Sequence, residues 1–294
     1  MIDFSKIKIR RPNNLRFSSA GIPLSTPQPS TIEGIKHVRN LGLGGMEFEF
    51  VHSVNVKGEK AKQAGEVAEE NDVVLTAHGS YYINLNATEP QKIAASRKRI
   101  IDAANAARAA GAFSVTFHPA FYLKDEKSVV YERVKTQLKK ITDELKDYGN
   151  DITISPETTG KETQFGNLKE LVSLSAELEQ IKPCIDFAHL HARSVGAYNS
   201  LEEFRSVLSL VETELGREAL DNMHMHVAGI AYGDKGEKNH LILENSDLKY
   251  KELLRALKEF KVKGSLVCES PNIEEDALLL KKTFNKLTWK ASKF

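Results

Sequence analysis

Seven residues of the kind that bind metal ions stand where short β-branched or aromatic runs end. Val73–Ala77 leads into His78, Ser114–Phe117 into His118, Ile152–Pro156 into Glu157, and Pro183–Ile185 into Asp186. His189 follows three residues after Asp186, His226 closes the next run, and Glu269 closes the last. Taken singly, a histidine at such a place is more often a hydrogen-bonded rim residue, and a carboxylate more often a helix cap. Six successive strands ending this way have no reason in stability, because imidazoles and carboxylates crowded into a dry bowl are costly without cations to neutralise them. The mixed donor set suits zinc, manganese or iron; magnesium and calcium prefer oxygen ligands throughout.

The elements that must carry these residues alternate along the chain. Strands are expected near Arg16–Ser18, Met46–Phe50, Val73–His78, Ser114–His118, Ile152–Pro156, Pro183–Asp186, Met223–Val227 and Ser265–Glu269, each followed by a segment of helical periodicity. Glu89–Ala110 and Ser128–Tyr148 are long and amphipathic. Ser30 with Glu33, Ser200 with Glu203 and Asn272 with Glu275 have the spacing of an N-cap and its reciprocating carboxylate. Gly42, Gly111, Gly149 and Gly216 follow helical segments where a left-handed residue ends a helix. Strict alternation of strand and helix implies a parallel sheet. Eight units within 294 residues fit a closed α/β (β/α)8 TIM barrel, about 250 residues in its usual form, as a single domain. An open doubly wound sheet is the alternative, but no Gly-x-Gly-x-x-Gly stands at the first strand-to-helix turn. In a barrel, all seven residues share the C-terminal rim.

Several chemistry-bearing residues read as structural. Cys184, two residues before Asp186, lies on the same strand face one layer deeper and reads as core. Cys268 should face the helices. His224 has the inward parity of His226 one layer down, and His191 falls in the loop after His189; neither is assigned. His37 lies in a helix and His52 just past a strand, both structural or solvated.

Bulk properties exclude little. A formal net charge of +1, from 41 Lys+Arg against 40 Asp+Glu, carries no overall signature of nucleic-acid binding. Two cysteines, both within apolar runs, suggest a reducing, cytoplasmic setting. No apolar run approaches the roughly 18 residues of a membrane span, and Met1–Arg16 is basic without the apolar stretch of a secretory signal. Residues 1–14 read as a flexible basic lead-in. Lys6, Lys8, Arg10, Arg11 and Arg16 cluster near the start of the chain, and Arg97, Lys98 and Arg99 sit on a helix, read as a solvated face.

The segments His78-Gly-Ser-Tyr-Tyr-Ile-Asn-Leu, Phe117-His118-Pro119, Pro156-Glu157-Thr158, Cys184-Ile-Asp186-Phe-Ala-His189, Met225-His226-Val227 and Cys268-Glu269-Ser-Pro together resemble the endonuclease IV family of abasic-site endonucleases, which are zinc-dependent βα barrels. The resemblance runs from the third strand to the last. It implies two or three Zn2+ ions, with Mn2+ or Fe2+ as substitutes. Glu157, the catalytic residue, bridges two of them. His78 and His118 complete the first, Asp186, His226 and Glu269 the second, and His189 and His240 help hold a third. It also implies that Tyr81 and Tyr82 enter double-stranded DNA at an abasic site, cleaved on its 5′ side during base excision repair by a monomer without membrane attachment.

This chain departs from the family at Lys238, where the family has a ligating Asp; Glu237 or Asp234 in the same loop is the available substitute. The first strand lacks a histidine common in bacterial members, and the loop from His52 to Lys60 does not match the family's DNA-penetrating segment. Two other functions share the expected fold. A single-metal sugar isomerase or epimerase would need only a quartet such as Glu157, Asp186, His226 and Glu269, and a catalytically impaired barrel would bind the lesion without nicking it.

Overall fold

The structure is a computed structural model that describes residues 3–288. Its strands are β1 (Leu15–Ala20), β2 (Gly45–Glu49), β3 (Val74–His78), β4 (Ser114–Phe117), β5 (Ala120–Phe121), β6 (Thr153–Pro156), β7 (Gln164–Phe165), β8 (Cys184–Asp186), β9 (Met223–Val227), β10 (Gly229–Gly233), β11 (Gly236–Leu241) and β12 (Gly264–Cys268). Eight of them form one sheet in the order β6-β4-β3-β2-β1-β12-β9-β8, each pair parallel. Parallel bridges Ile154↔Ile181 and Glu157↔Cys184 join the two edges. The single-domain TIM barrel expected from the alternation of elements is therefore present, and the eight strands agree with the sequence reading to within one or two residues at their ends.

The sequence alternation places opposite chemistries on the two faces of each strand. Outward-facing Phe17, Phe48, Leu75, Val115, Ile154, Ile185, Met225 and Leu266 belong to the apolar core shared with the surrounding helices. Inside the barrel most side chains are polar. Ser18 meets Ser265 at 2.7 Å and Ser114 meets Ser155 at 2.7 Å, where barrels usually stack branched apolar residues. The helices begin largely where expected. Ser30 accepts from the Glu33 amide, and Ser200 with Glu203 forms a full capping box. Asn272 does not cap: the helix Glu274–Lys286 starts after Ile273, and the Asn272 amide instead reaches the Glu275 and Asp276 carboxylates. Asn167 with Glu170 supplies a capping box that the sequence reading omitted. Gly42, Gly111, Gly149 and Gly216 all have positive φ, between 69° and 82°.

Over its described residues the lead-in packs against the barrel. Phe4 is buried, and Arg108, itself 4% exposed, donates to the Phe4 carbonyl at 3.0 Å, the Ile7 carbonyl at 2.7 Å and Asp151 at 2.7 Å. A planar guanidinium late in the helix Pro90–Ala109 thus ties down two backbone acceptors. Arg16 pairs with Asp72 at 2.9 Å near the N-terminal ends of β1 and β3. The first basic cluster therefore lies at the end of the barrel opposite the candidate site. Lys98 pairs with Asp102 on its own helix and Arg97 donates to Gln137, as suits a helix surface.

Arg108→Ala leaves the Ile7 carbonyl without its donor, at about 1–3 kcal/mol, while the Phe4 carbonyl keeps the Ile7 amide and loses only its second donor. Thermal unfolding of this variant should shift down by roughly 5–10 °C, with little recovery in Arg108→Lys, which lacks the fork. A shift below about 1 °C would show that the lead-in is not held this way.

Candidate metal centre

The barrel strands deliver their terminal side chains to one bowl. Glu157, just past β6 and with no exposed surface, is its centre. One oxygen lies 3.3 Å from His78 Nε2 and 3.5 Å from His118 Nε2; the other lies 3.2 Å from His189 Nδ1 and 3.3 Å from His226 Nδ1. Asp186, at the end of β8, caps the short helix Phe187–Arg193 by accepting the His189 amide at 2.8 Å, which fixes the Asp-x-x-His pair. His226 Nδ1 lies 3.4 Å from Glu269 Oε1. His240 arrives from a different element, the antiparallel hairpin of β10 and β11 folded over the rim, and its Nδ1 is 3.2 Å from the Glu269 carbonyl.

Backbone carbonyls set the orientation of these rings. His78 Nδ1 bonds the Gly79 carbonyl at 2.8 Å and His189 Nδ1 the Thr158 carbonyl at 2.9 Å. With Nδ1 donating, Nε2 of each ring keeps its lone pair for another partner, the usual support of a metal-binding histidine. Ligand-grade atoms then converge in three groups, within 4.8 Å of one another in each: His78, His118 and Glu157; Glu157, Asp186, His226 and Glu269; Asp186, His189 and His240. The eight residues singled out from sequence are thus all brought together, and Glu157 and Asp186 are each shared by two groups.

Glu237 stands beside this cluster, its Oε2 3.7 Å from His189 Nε2, while Lys238, next along β11, is exposed. A register shift in the hairpin makes Lys238 the extra residue of a β-bulge, so Glu237, and not Lys238, shares the face of His240. Close approach of the hairpin depends on Gly160, where a Cβ would stand 2.6 Å from Glu237 Oε2. Asp234, the other substitute considered, is exposed in the turn. Tyr81 and Tyr82 project from the loop after β3, 60% and 62% exposed, the Tyr81 ring 5.6 Å from that of His78. They flank the bowl without closing it.

The donors fit a cation. Both oxygens of Glu157, Asp186 Oδ2 and His226 Nδ1 are buried and find no hydrogen-bond partner among the described residues. The electrostatics carry the same mark. Burial works to lower His78 and His189, yet the neighbouring carboxylates, Glu157 and Asp186 above all, outweigh it and raise both to about 10. Burial works to raise Glu157, but the His226 and His118 charges hold it well below the usual carboxylate range. Protons on imidazole here do the work that a divalent ion would do.

Sequence reading placed β2 but overlooked its carboxylates. Glu47 and Glu49, two residues apart on one strand, both enter the barrel interior. Glu49 pairs in register with His78, and burial with the nearby Glu47 charge raises it to about 8. Glu47 has no exposed surface and lies one layer below the bowl, 2.7 Å from His224 Nε2 and 3.0 Å from His226 Nε2. The available signal was the Glu-Phe-Glu alternation inside a run that a parallel barrel strand would normally keep apolar. Of the remaining histidines, His191 is buried and bonds Asp247 at 3.0 Å, His37 is half-buried against Ser25, and His52 is exposed. Cys268 joins the apolar core as its parity implies.

A closed parallel barrel with a bowl of imidazoles and carboxylates at the C-terminal ends of its strands defines the class. The chain belongs to the xylose isomerase-like TIM barrel family, whose profile matches residues 35–287. An uncharacterized protein of Methanocaldococcus jannaschii is 43% identical over 93% of this chain and 98% of its own length. A probable endonuclease 4 of Chlorobium phaeovibrioides is 24% identical over 57% of this chain and 61% of its own. Among solved structures, a D-tagatose 3-epimerase-like protein superposes with a TM-score of 0.70 at 17% identity, covering 91% of this chain and 96% of that one. Endonuclease IV of Thermus thermophilus gives 0.69 at 19% identity, covering 91% and 97%. Among the described residues no helix is long and apolar enough to cross a membrane.

If the bowl binds divalent ions, zinc added to metal-free protein must displace the imidazole protons. Zinc titration in weak buffer should acidify the solution, and saturation at about 100 times Kd should add about 2.7 kcal/mol of stability, roughly 5–10 °C in Tm. Unchanged pH and Tm would count against the assignment.

Proposed function

We propose that this chain is a metal-dependent phosphodiesterase that cleaves DNA on the 5′ side of an abasic site. The observation that carries the reading is the linking of three ligand groups through two shared carboxylates, Glu157 and Asp186. A single-ion sugar enzyme needs the Glu157, Asp186, His226 and Glu269 quartet alone. His78, His118, His189 and His240 exceed that need, and they are the residues by which the chain resembles endonuclease IV. Divalent cations held by these groups would activate water and neutralise the charge that develops on a phosphodiester in transit.

The chain's own residues supply position and exclusion. Glu157, held between imidazoles on both sides, orients the attacking water in line with the phosphate. Gly79 and Thr158 keep the His78 and His189 rings turned toward the bowl through their carbonyls. Tyr81 and Tyr82 present exposed aromatic faces beside it, and a ring can stack in the gap left by a missing base. Glu237, beside His189, takes the place of the aspartate that Lys238 displaces and adds a second carboxylate to the Asp186, His189 and His240 group.

The sugar-epimerase reading has its own support in the quartet, which forms a self-sufficient four-ligand group. The two readings separate on substrate. Purified protein should nick a duplex carrying one abasic site and leave the intact duplex whole, with nicking lowered at least ~10³-fold in Glu157→Gln and in His118→Ala. Turnover of a ketose without nicking would replace the proposal by the epimerase; lesion binding without nicking would leave a non-catalytic barrel.

Tyr81→Ala and Tyr82→Ala should each weaken abasic-duplex binding about tenfold to a hundredfold, the range for loss of one stacked ring. Equal affinity for abasic and intact duplex in the wild type would remove the role given to these rings.

A further inference from the structure

Beneath the bowl, Cys184, His224 and His226 gather with Glu47 beside the two histidines, and of these only His226 also serves the rim. Cys184 Sγ and ring nitrogens of His224 and His226 lie within 4.8 Å of one another, and all three residues are buried. Glu47 faces both histidines, at 2.7 and 3.0 Å from their Nε2 atoms. The two Nε2 atoms stand 3.3 Å apart. Nitrogens bound tetrahedrally to one zinc ion at its usual bond lengths stand about 3.3–3.4 Å apart. Glu47 Oε1 is buried and finds no hydrogen-bond partner among the described residues. Protons alone serve this meeting poorly: His226 Nε2 is aimed at the His224 nitrogen and leaves the Glu47 oxygen beside it unpaired.

We propose that Cys184, His224, His226 and Glu47 form a second cation site inside the barrel, one layer below the rim groups and sharing only His226 with them. One thiolate, two imidazoles and a carboxylate are the donors of a closed, structural zinc site. Ser114 Oγ, 3.0 Å from His224 Nδ1, holds that ring with Nε2 directed inward, as an outer partner does for a metal-binding histidine. His226 then faces the two layers with its two nitrogens: Nδ1 to Glu157 and Glu269 above, Nε2 to the inner site below. When both layers are filled its ring is an imidazolate. Binding of the inner ion therefore releases two protons to solvent, one from the Cys184 sulfur and one from the His226 ring, while Glu47 enters already ionised. The site explains why this barrel carries a carboxylate, a thiol and an additional histidine in a layer that usually holds branched apolar side chains.

Cobalt(II) alone is the probe, because a thiolate bound to cobalt gives a near-ultraviolet charge-transfer absorption that imidazole and carboxylate ligands do not. The rim groups contain no cysteine, so the band reports the inner site whether or not the protein cuts DNA. Full-length wild-type protein loaded with Co2+ should show the band. Cys184→Ser should lose it and bind about one ion fewer per chain; His224→Gln should also lose it; Cys268→Ser should keep both band and ion count. A wild-type protein without the band overturns the proposal even if the variants fail to fold, as does a band that survives Cys184→Ser. Loss of nicking with the band intact would refute the nuclease reading and leave the inner site standing.

Discussion

Burying an ionised carboxylate without a partner costs several kcal/mol, and the Glu157 side chain has no exposed surface and no hydrogen bond to either oxygen among the described residues. Four imidazoles approach within 3.5 Å yet none forms a hydrogen bond to it. Nearly every other feature of the rim follows from that constraint. Ring nitrogens are turned by backbone carbonyls so that lone pairs face Glu157 or its neighbours. Asp186 serves twice, capping a helix through one oxygen and leaving the other unpaired in the bowl. Such a cluster is stable only where charge of the opposite sign is fixed among its members.

The fold supplies the rigidity that this requires. Parallel pairing in register sets adjacent side chains at one height, as with Glu49 beside His78 and Asp186 beside His226. Helices packed on the outward faces hold the strands by apolar contact, so the interior is free to be polar. Two additions close the ends. The Arg108 fork fastens the lead-in beneath the barrel, and the hairpin of β10 and β11 brings His240 and Glu237 over the rim. Tyr232, His191 and Asp247 tie that hairpin to the helix after β8, the Tyr232 hydroxyl donating to Asp247 at 2.7 Å and His191 lying 3.0 Å from the same carboxylate.

Much of this was legible because it repeats. Eight apolar runs of similar length, with a histidine or carboxylate closing most of them, state the barrel and its rim together. What was missed depends on contacts that no local pattern encodes. The Arg108 role needs carbonyls more than 100 residues away in sequence. Asn272 has a capping spacing, yet its side chain finds the carboxylates of Glu275 and Asp276 instead. Glu47 was passed over because its partners, His224 and His226, lie 177 and 179 residues further along, and only barrel closure brings them together. Cys184 was read correctly as inward and deep, but depth here means a polar layer and not an apolar one. Lys238 looked like damage to the site; a bulge in β11, which simple alternation does not foretell, leaves Lys238 unpaired and turns its neighbour Glu237 toward His189.

Anomalous diffraction from crystals of the protein grown with zinc locates ions directly among these side chains. A centre built around Glu157 gives peaks on both sides of its carboxylate, one toward His78 and His118 and one toward Asp186, His226 and Glu269. A single rim peak confined to the latter quartet, with His78 and His118 bare, would contradict it.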